Sequence, residues 1–326
     1  MNKTERIFLV FVLLFNACTS IDYINNFNSS DNNKNIGENG ISLVTYNIKA
    51  IYDKKKNEVD SLIAFIDRGK YDFVLFQELF DESTRDEIVE KSNSNYQTII
   101  SRVDYNSFPE FLFQDAGLFL MSKYPRVDLS GIDFGDDINN SNGVIHMVLE
   151  KEWSKTNDFL ANKSVLGALF SINDSTQLFL FTTHVQAIGT KEHKLFQLEQ
   201  IKNFIDLAVN GVINSGKVNS SKNLVVLLAG DFNSDAYNTE RFSSLKQHLG
   251  NPRDLHMEFN GNKKEYTFAF SSRRPSRRFD YIFAYDNLFT INFKKVSVKS
   301  IGVEDVKVDS VSISDHNSLK ATISIE

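Results

Sequence analysis

The sequence predicts an α/β sandwich in which two β-sheets are covered by helices. Apolar strands and helix-spaced stripes alternate through the first half of the chain, whereas strand runs dominate towards the C-terminus. Many of these strands also stop in a polar cluster. Ile41–Ile48 is a β-branched run, and Val59, Leu62, Ile63 and Ile66 follow at helical spacing. Tyr71–Leu79 is a short apolar strand. Asp81–Ser92 opens on acidic residues that suit a helix N-terminus. Strands are expected at Ala116–Ser122, Val144–Leu149, Val165–Ile172 and Gln177–His184. Leu195, Leu198, Ile201 and Ile205 then form one helical stripe. Asn223–Phe232, Phe279–Tyr285, Phe289–Val298 and His316–Ile325 complete the strands.

At 326 residues, 41% hydrophobic and 12% aromatic, the chain can bury a large core, which excludes global disorder. With 4 prolines and no Pro/Ser linker in the interior, residues 41–326 read as one domain. The start of the chain reads differently. Lys3 and Arg6 precede an apolar run from Ile7 to Phe15, too short to span a bilayer and built like an export signal. Cys18, the single cysteine, follows Ala17, so no internal disulfide can form. The segment resembles the lipobox of bacterial lipoproteins, although Phe15 and Asn16 match it loosely. The resemblance implies a signal peptide at residues 1–17, an acylated Cys18, and a lipid-anchored protein of the periplasm or cell surface. A plain signal peptide with an incidental cysteine is the alternative. Of the 22 residues after Cys18, 14 are Asn, Ser, Asp or Gly, so residues 18–40 are expected to be a flexible tether.

Removing residues 1–17 takes away Lys3, Arg6 and Glu5 and leaves 34 basic and 41 acidic residues, a net of −7. That balance argues against holding nucleic acid by overall charge, but it permits a local basic groove.

The polar clusters at the strand ends are Asn47, Glu78, His184, Asp231 with Asn233, Asp280, and Asp315–His316. Each alone is unremarkable, because strand-end acids usually cap loops. Together, their carboxylates, amides and imidazoles could hold a hard divalent cation, polarise a phosphoryl oxygen and activate water.

In that order the residues N-I, Q-E, T-H, G-D-x-N, R-x-D-Y and S-D-H resemble the endonuclease/exonuclease/phosphatase superfamily, from about Ile41 to the C-terminus. The resemblance implies a DNase I-like, four-layered α/β sandwich and a metal-dependent phosphoesterase. It implies Mg²⁺, with Mn²⁺ or Co²⁺ as substitutes, on Glu78 with Asn47 and Asp315 nearby. It makes His316 the general base, oriented by Asp280. Asp231 would serve the leaving oxygen with Asn47 and Asn233, and His184 would donate to a non-bridging phosphoryl oxygen.

The "THVQA" segment, its following "LFQLEQIKNFI" helix, "DAGLFLMSKYP" and "LFQELFD" are similar to the neutral and bacterial sphingomyelinase branch. This implies a monomeric phosphodiesterase acting at a phospholipid membrane, most simply on sphingomyelin. "FLANKSVLGALF" aligns by eye with a strand of that branch, with Ser164 in place of a glycine, and Lys163 is expected to bind substrate. The aromatic hairpin that the secreted members carry before S-D-H is missing from "VKSIGVEDVKVDSVSISDH". Phe108, Phe111 and Phe113 offer either a substitute docking loop or ordinary core. Arg273, Arg274, Arg277 and Arg278 precede Asp280 and are expected to border the cleft, with Arg278 on substrate, or to form a solvated loop. This basic run supports the alternative of a surface nuclease; another phosphoesterase of the same fold is a further alternative. A binding module on an inactive version of the fold would be expected to have lost a histidine or the metal glutamate.

Overall fold

A computed structural model describes residues 22–25, 40–51, 54–103, 115–141, 143–152, 160–218, 223–261, 263–268, 275–288 and 291–326. Cys18, Phe108, Phe111, Phe113, Arg273 and Arg274 lie outside them. Two seven-stranded sheets pack face to face. The first has the order β1 (Asp22–Asn25), β4 (Thr98–Arg102), β5 (Phe119–Ser122), β3 (Phe73–Leu79), β2 (Ile41–Ala50), β14 (Ser318–Ile325), β13 (Val296–Glu304). The second runs β11 (Arg253–Asp254), β12 (Asp280–Tyr285), β10 (Leu224–Asp231), β9 (Thr176–His184), β8 (Ser164–Asn173), β7 (Val144–Val148), β6 (Asn139–Ser141). Helices α1 (Lys56–Gly69) and α2 (Glu82–Ser92) cover the first sheet. Helices α3 (Lys191–Asn214) and α4 (Thr239–His248) cover the second, and a short α5 (Leu255–Asn260) follows β11.

Three apolar cores correspond to the three interfaces of the expected four-layered sandwich. Leu62, Phe65 and Ile66 of α1 meet Val44, Val74 and Phe76 on the outer face of the first sheet. Leu43, Leu75 and Leu120 meet Leu166, Leu180 and Leu227 between the sheets. Phe179, Phe181 and Val226 meet Leu198, Ile201 and Phe204 of α3. Alternate residues of β10 thus enter different cores, so the strand is buried on both faces and apolar throughout.

Two expectations are corrected. The segment expected to be a flexible tether contributes β1, which pairs antiparallel with β4 at the sheet edge. Its sequence, Asp-Tyr-Ile-Asn, places two strand-favouring residues, Tyr23 and Ile24, side by side. Arg278 does not face substrate. Its side chain has no exposure, donates to both carboxylate oxygens of Asp254, and lies with its guanidinium carbon 4.4 Å from the Tyr281 ring centroid. Burying a guanidinium requires a paired carboxylate, and Asp254 supplies it from β11.

Arg278→Ala would strand the Asp254 charge, so it should cost about 3–5 kcal/mol of stability. Arg277→Ala, at a partly exposed position, should leave the melting temperature close to that of the parent in thermal denaturation.

Candidate active site

The second sheet aligns three of the expected residues in one row. β10 pairs parallel with β9, opposing Asp231 to His184, and antiparallel with β12, opposing Asp231 to Asp280. Within β10, Gly230 has φ +142°, and a Cβ there would lie 2.1 Å from the Thr183 carbonyl oxygen, so only glycine lets the strands approach this closely. The first sheet delivers Asn47 and Glu78 from the parallel pair β2 and β3, and the segment before β14 adds Asp315 and His316.

These residues meet around one cleft of about 800 Å³, lined by Glu78, Asp231, Asn233, Asp315 and His316 among others. The Asn47 amide donates to Glu78 Oε1 and to Asp231 Oδ2, 3.0 Å each, and so links the two sheets. His316 Nδ1 lies 2.9 Å from Asp280 Oδ2, and its Nε2 is 3.6 Å from Asp231 Oδ2. Asp231 accepts from the Asn233 backbone at 2.8 Å, while the Asn233 amide donates to the Val185 carbonyl. His184 points Nε2 at Glu78 (3.6 Å) and Asp231 (3.7 Å), and its Nδ1 is buried with no hydrogen-bond partner among the described residues.

Burial and charge set the proton inventory. Burial pulls the His316 imidazole down, but the Asp280 and Asp231 carboxylates more than offset it and push it up to about 10. Burial pushes the Asp231 carboxyl up to about 7, opposed by His316. Burial, then the nearby Lys163 and His316 charges, hold His184 well below the ordinary histidine range, so it is a neutral imidazole. A neutral donor beside a base that shares its proton with two carboxylates has the makings of acid–base chemistry on a polar substrate.

Oxygen donors dominate the cleft floor, which suits a hard divalent cation. Glu78 is the most open of them. Asp315 is held by the Lys49 ammonium at 2.6 Å, and the Asn47 carboxamide oxygen accepts the Lys49 backbone N–H. Asp231, Asp280 and His316 also lie close enough together to bind a metal, although the hydrogen bond between His316 and Asp280 favours a proton-handling role.

Lys163 is buried and does not line the cleft, so the expected direct contact with substrate is corrected; it acts on His184 through its charge. Arg277 does reach the cleft, where its guanidinium lies over the Phe279 ring.

Several supporting residues escaped the sequence reading. Gln77 is fully buried and donates to Thr45 on the neighbouring strand β2 and, across to the second sheet, to Thr182. The Ser314 hydroxyl joins the Asn47 carbonyl to the His316 backbone, and the Thr267 hydroxyl receives the Phe279 and Asp280 N–H groups. Behind Glu78, the buried Arg85 holds the Leu79 carbonyl and Asp115; Asp115 accepts from Gly117 N–H, and the Gly117 carbonyl receives Leu79 N–H. This clamp keeps Glu78 at φ +55°; Lys49 and Asn233, at +49° and +47°, share the same left-handed region. The signal available in the sequence was membership of a motif: Gln77 belongs to Q-E, Ser314 to S-D-H, and Asp115 and Gly117 to "DAGLFLMSKYP".

No family model matches the chain, and no curated protein does. Solved structures do. Beta toxin from Staphylococcus aureus, in a form with bound magnesium ions, superposes with TM-score 0.60 at 18% identity, over 87% of this chain and 99% of that one. Sphingomyelinase C from Streptomyces griseocarneus gives 0.59 at 16% identity, over 87% and 99%. This is a DNase I-like fold. A third neighbour with the DNase I-like fold is D. rerio TDP2 complexed with a single-stranded DNA product, at TM-score 0.58 and 14% identity over 87% and 98%.

A Cβ on Gly117 would lie 2.8 Å from the Phe80 ring and 3.0 Å from the Glu78 Cα, with φ at +63°. Gly117→Ala should therefore destabilise the fold by about 1–3 kcal/mol and displace Glu78. A thermal melt and the divalent-ion concentration for half-maximal activity should both change, the latter upwards.

Proposed function

We propose that the protein is a metal-dependent phosphodiesterase acting on a phospholipid headgroup, of the sphingomyelinase C type. The reference reaction is hydrolysis of sphingomyelin to ceramide and phosphocholine. The observation that carries the reading is the Asp280–His316–Asp231 chain facing Glu78, Asn47 and His184 across one cleft. The bacterial sphingomyelinase among the structural neighbours supports the choice of substrate class.

When bound at Glu78, with Asn47 and Asp315 alongside, Mg²⁺ would supply Lewis-acid polarisation of the phosphoryl oxygen. The protein supplies the rest. His316 Nε2 takes a proton from the attacking water while Asp280 keeps Nδ1 protonated and the ring oriented. His184, neutral and desolvated, donates to the non-bridging oxygen as its charge grows. Asp231, raised by burial into the range where a proton is available, serves the leaving oxygen, with the Asn47 amide holding its carboxylate. We further read the chain as a monomer held at the bacterial envelope through an acylated Cys18.

Excess EDTA should abolish hydrolysis, and Mg²⁺ should restore it. A panel of sphingomyelin, phosphatidylcholine, inositol phosphates and plasmid DNA tests the substrate class; cleavage of DNA alone would overturn the lipid reading.

The two histidines should respond differently. His184→Ala should lower kcat by about 100-fold or more with little change in KM. His316 works deprotonated, and carboxylates raise its pKa, so activity should rise with pH along an acidic limb. Asp280→Asn removes the largest raising charge and should move that limb to lower pH while lowering the plateau. A limb that stays in place would remove His316 as the base.

Cys18→Ser should abolish labelling by a fatty-acid analogue and release the protein from the membrane fraction. Release of unlabelled parent protein would count against the anchor.

A further inference from the structure

The catalytic cleft does not end at Asn233. A second cavity of about 380 Å³ continues from it between α3 and α4, and Asn233, Lys194 and Arg241 line both spaces. A ligand whose phosphate sits beside Asn233 can therefore extend its substituent into this cavity.

The chemistry of that substituent is constrained by the lining. Val185, Leu198, Phe232 and Leu245 make a buried apolar floor. The walls carry three cations, Lys191, Lys194 and Arg241, against one acid, Glu240. Glu240 is engaged by Lys191 at 2.6 Å and also feels the Arg241 charge, while the Lys194 ammonium donates to the Ala187 carbonyl at the rim. The balance is positive although the whole chain carries a net charge of −6. A quaternary ammonium is a poor fit, because it binds on open aromatic faces. The one aromatic residue of the lining, Phe232, is 1% exposed and packed edge-on against Tyr281 and Phe283. In the adjoining cleft the Arg277 guanidinium lies 5.8 Å from the Phe279 ring centroid, and Phe268 packs against Phe279 and His316.

We propose that the cavity between α3 and α4 is a subsite for a second anionic group, a phosphate monoester or carboxylate on the substituent next to the scissile phosphodiester, carried by an anionic phospholipid headgroup. The inference rests on the phosphodiesterase reading and narrows its headgroup away from phosphocholine. The apolar floor receives the linking carbons, and Lys194 and Arg241 receive the charge. A volume of about 380 Å³ accommodates a group of that size.

Phosphatidylglycerol and phosphatidylglycerol phosphate differ by one phosphate monoester and make the direct test. Each is presented to the purified chain with Mg²⁺ in mixed micelles whose surface charge is matched by an inert anionic detergent, with sphingomyelin as a third arm. The phosphate-bearing lipid should show kcat/KM at least about tenfold above the other two, a difference of about 1.4 kcal/mol. Arg241→Gln should bring the ratio towards one, mainly through KM, and Arg241→Glu should take it below one. Arg241 is exposed, so both variants should keep the parental circular dichroism and melting temperature. A parent ratio near one, or a ratio that survives both substitutions, would overturn the subsite. Arg241-dependent cutting of single-stranded DNA with all three lipids inert would also overturn it, giving the cavity to a neighbouring backbone phosphate. A folded chain inactive even on bis-para-nitrophenyl phosphate, which has no second anion, overturns the underlying phosphodiesterase reading, and the subsite falls with it.

Discussion

The register of β10 between β9 and β12 is the constraint on which the cleft depends. Parallel pairing on one side and antiparallel pairing on the other set His184, Asp231 and Asp280 in a row at the same strand ends. A slip of one residue would exchange the two faces of a strand whose alternate residues fill different cores. Register is thus enforced by apolar burial along the strand, and the polar row inherits its precision from the hydrophobic residues before it. Gly230 marks the point where the pairing is tightest.

Beyond the apolar core between them, the two sheets are joined by amides. Gln77 reaches from β3 to Thr182 on β9, and Asn47 reaches from β2 to Asp231 on β10. An amide can donate and accept with no ionic desolvation penalty, so it can cross a dry sheet interface where an ion pair would be costly. The carboxylates that do enter the interior are each accompanied: Asp280 by His316, Asp231 by Asn47 and the Asn233 backbone, and Asp254 by Arg278. Proton affinities in the cleft follow from this arrangement. His316 sits between two carboxylates and is raised, whereas His184, buried near a lysine and another imidazole, is lowered. Two histidines of identical intrinsic chemistry thereby acquire opposite roles.

The strands β2, β3, β8, β9, β10 and β12, with their apolar runs, and β14, with its alternating pattern, were legible because their burial is written into residue type. The amphipathic stripe of α3 was legible for the same reason. Helix α4 was not: it buries only Leu245, so it has no stripe to read, and its place comes from packing on α3. The run Phe289–Val298, expected as one strand, is divided into the hairpin strand Ile291–Asn292 and the start of β13. Strand β1 was hidden within a polar stretch.

By itself the sequence determined the layered α/β class and which residues meet in the cleft, because burial pattern and ordered strand-end motifs are local properties of the chain. Arg277 and Arg278 show what it left open. They are adjacent and chemically identical, yet one overhangs the cleft and the other is sealed against Asp254, since neighbouring side chains in extended backbone point to opposite sides. Lys163 stood in a motif but was turned inwards behind His184. The cavity between α3 and α4 has no motif, because Lys194, Asn233 and Arg241 come from separate elements and a local signature requires neighbours in sequence. Only the packing of the helices on the second sheet brings those charges together, and only that packing decided which cations line the cavity.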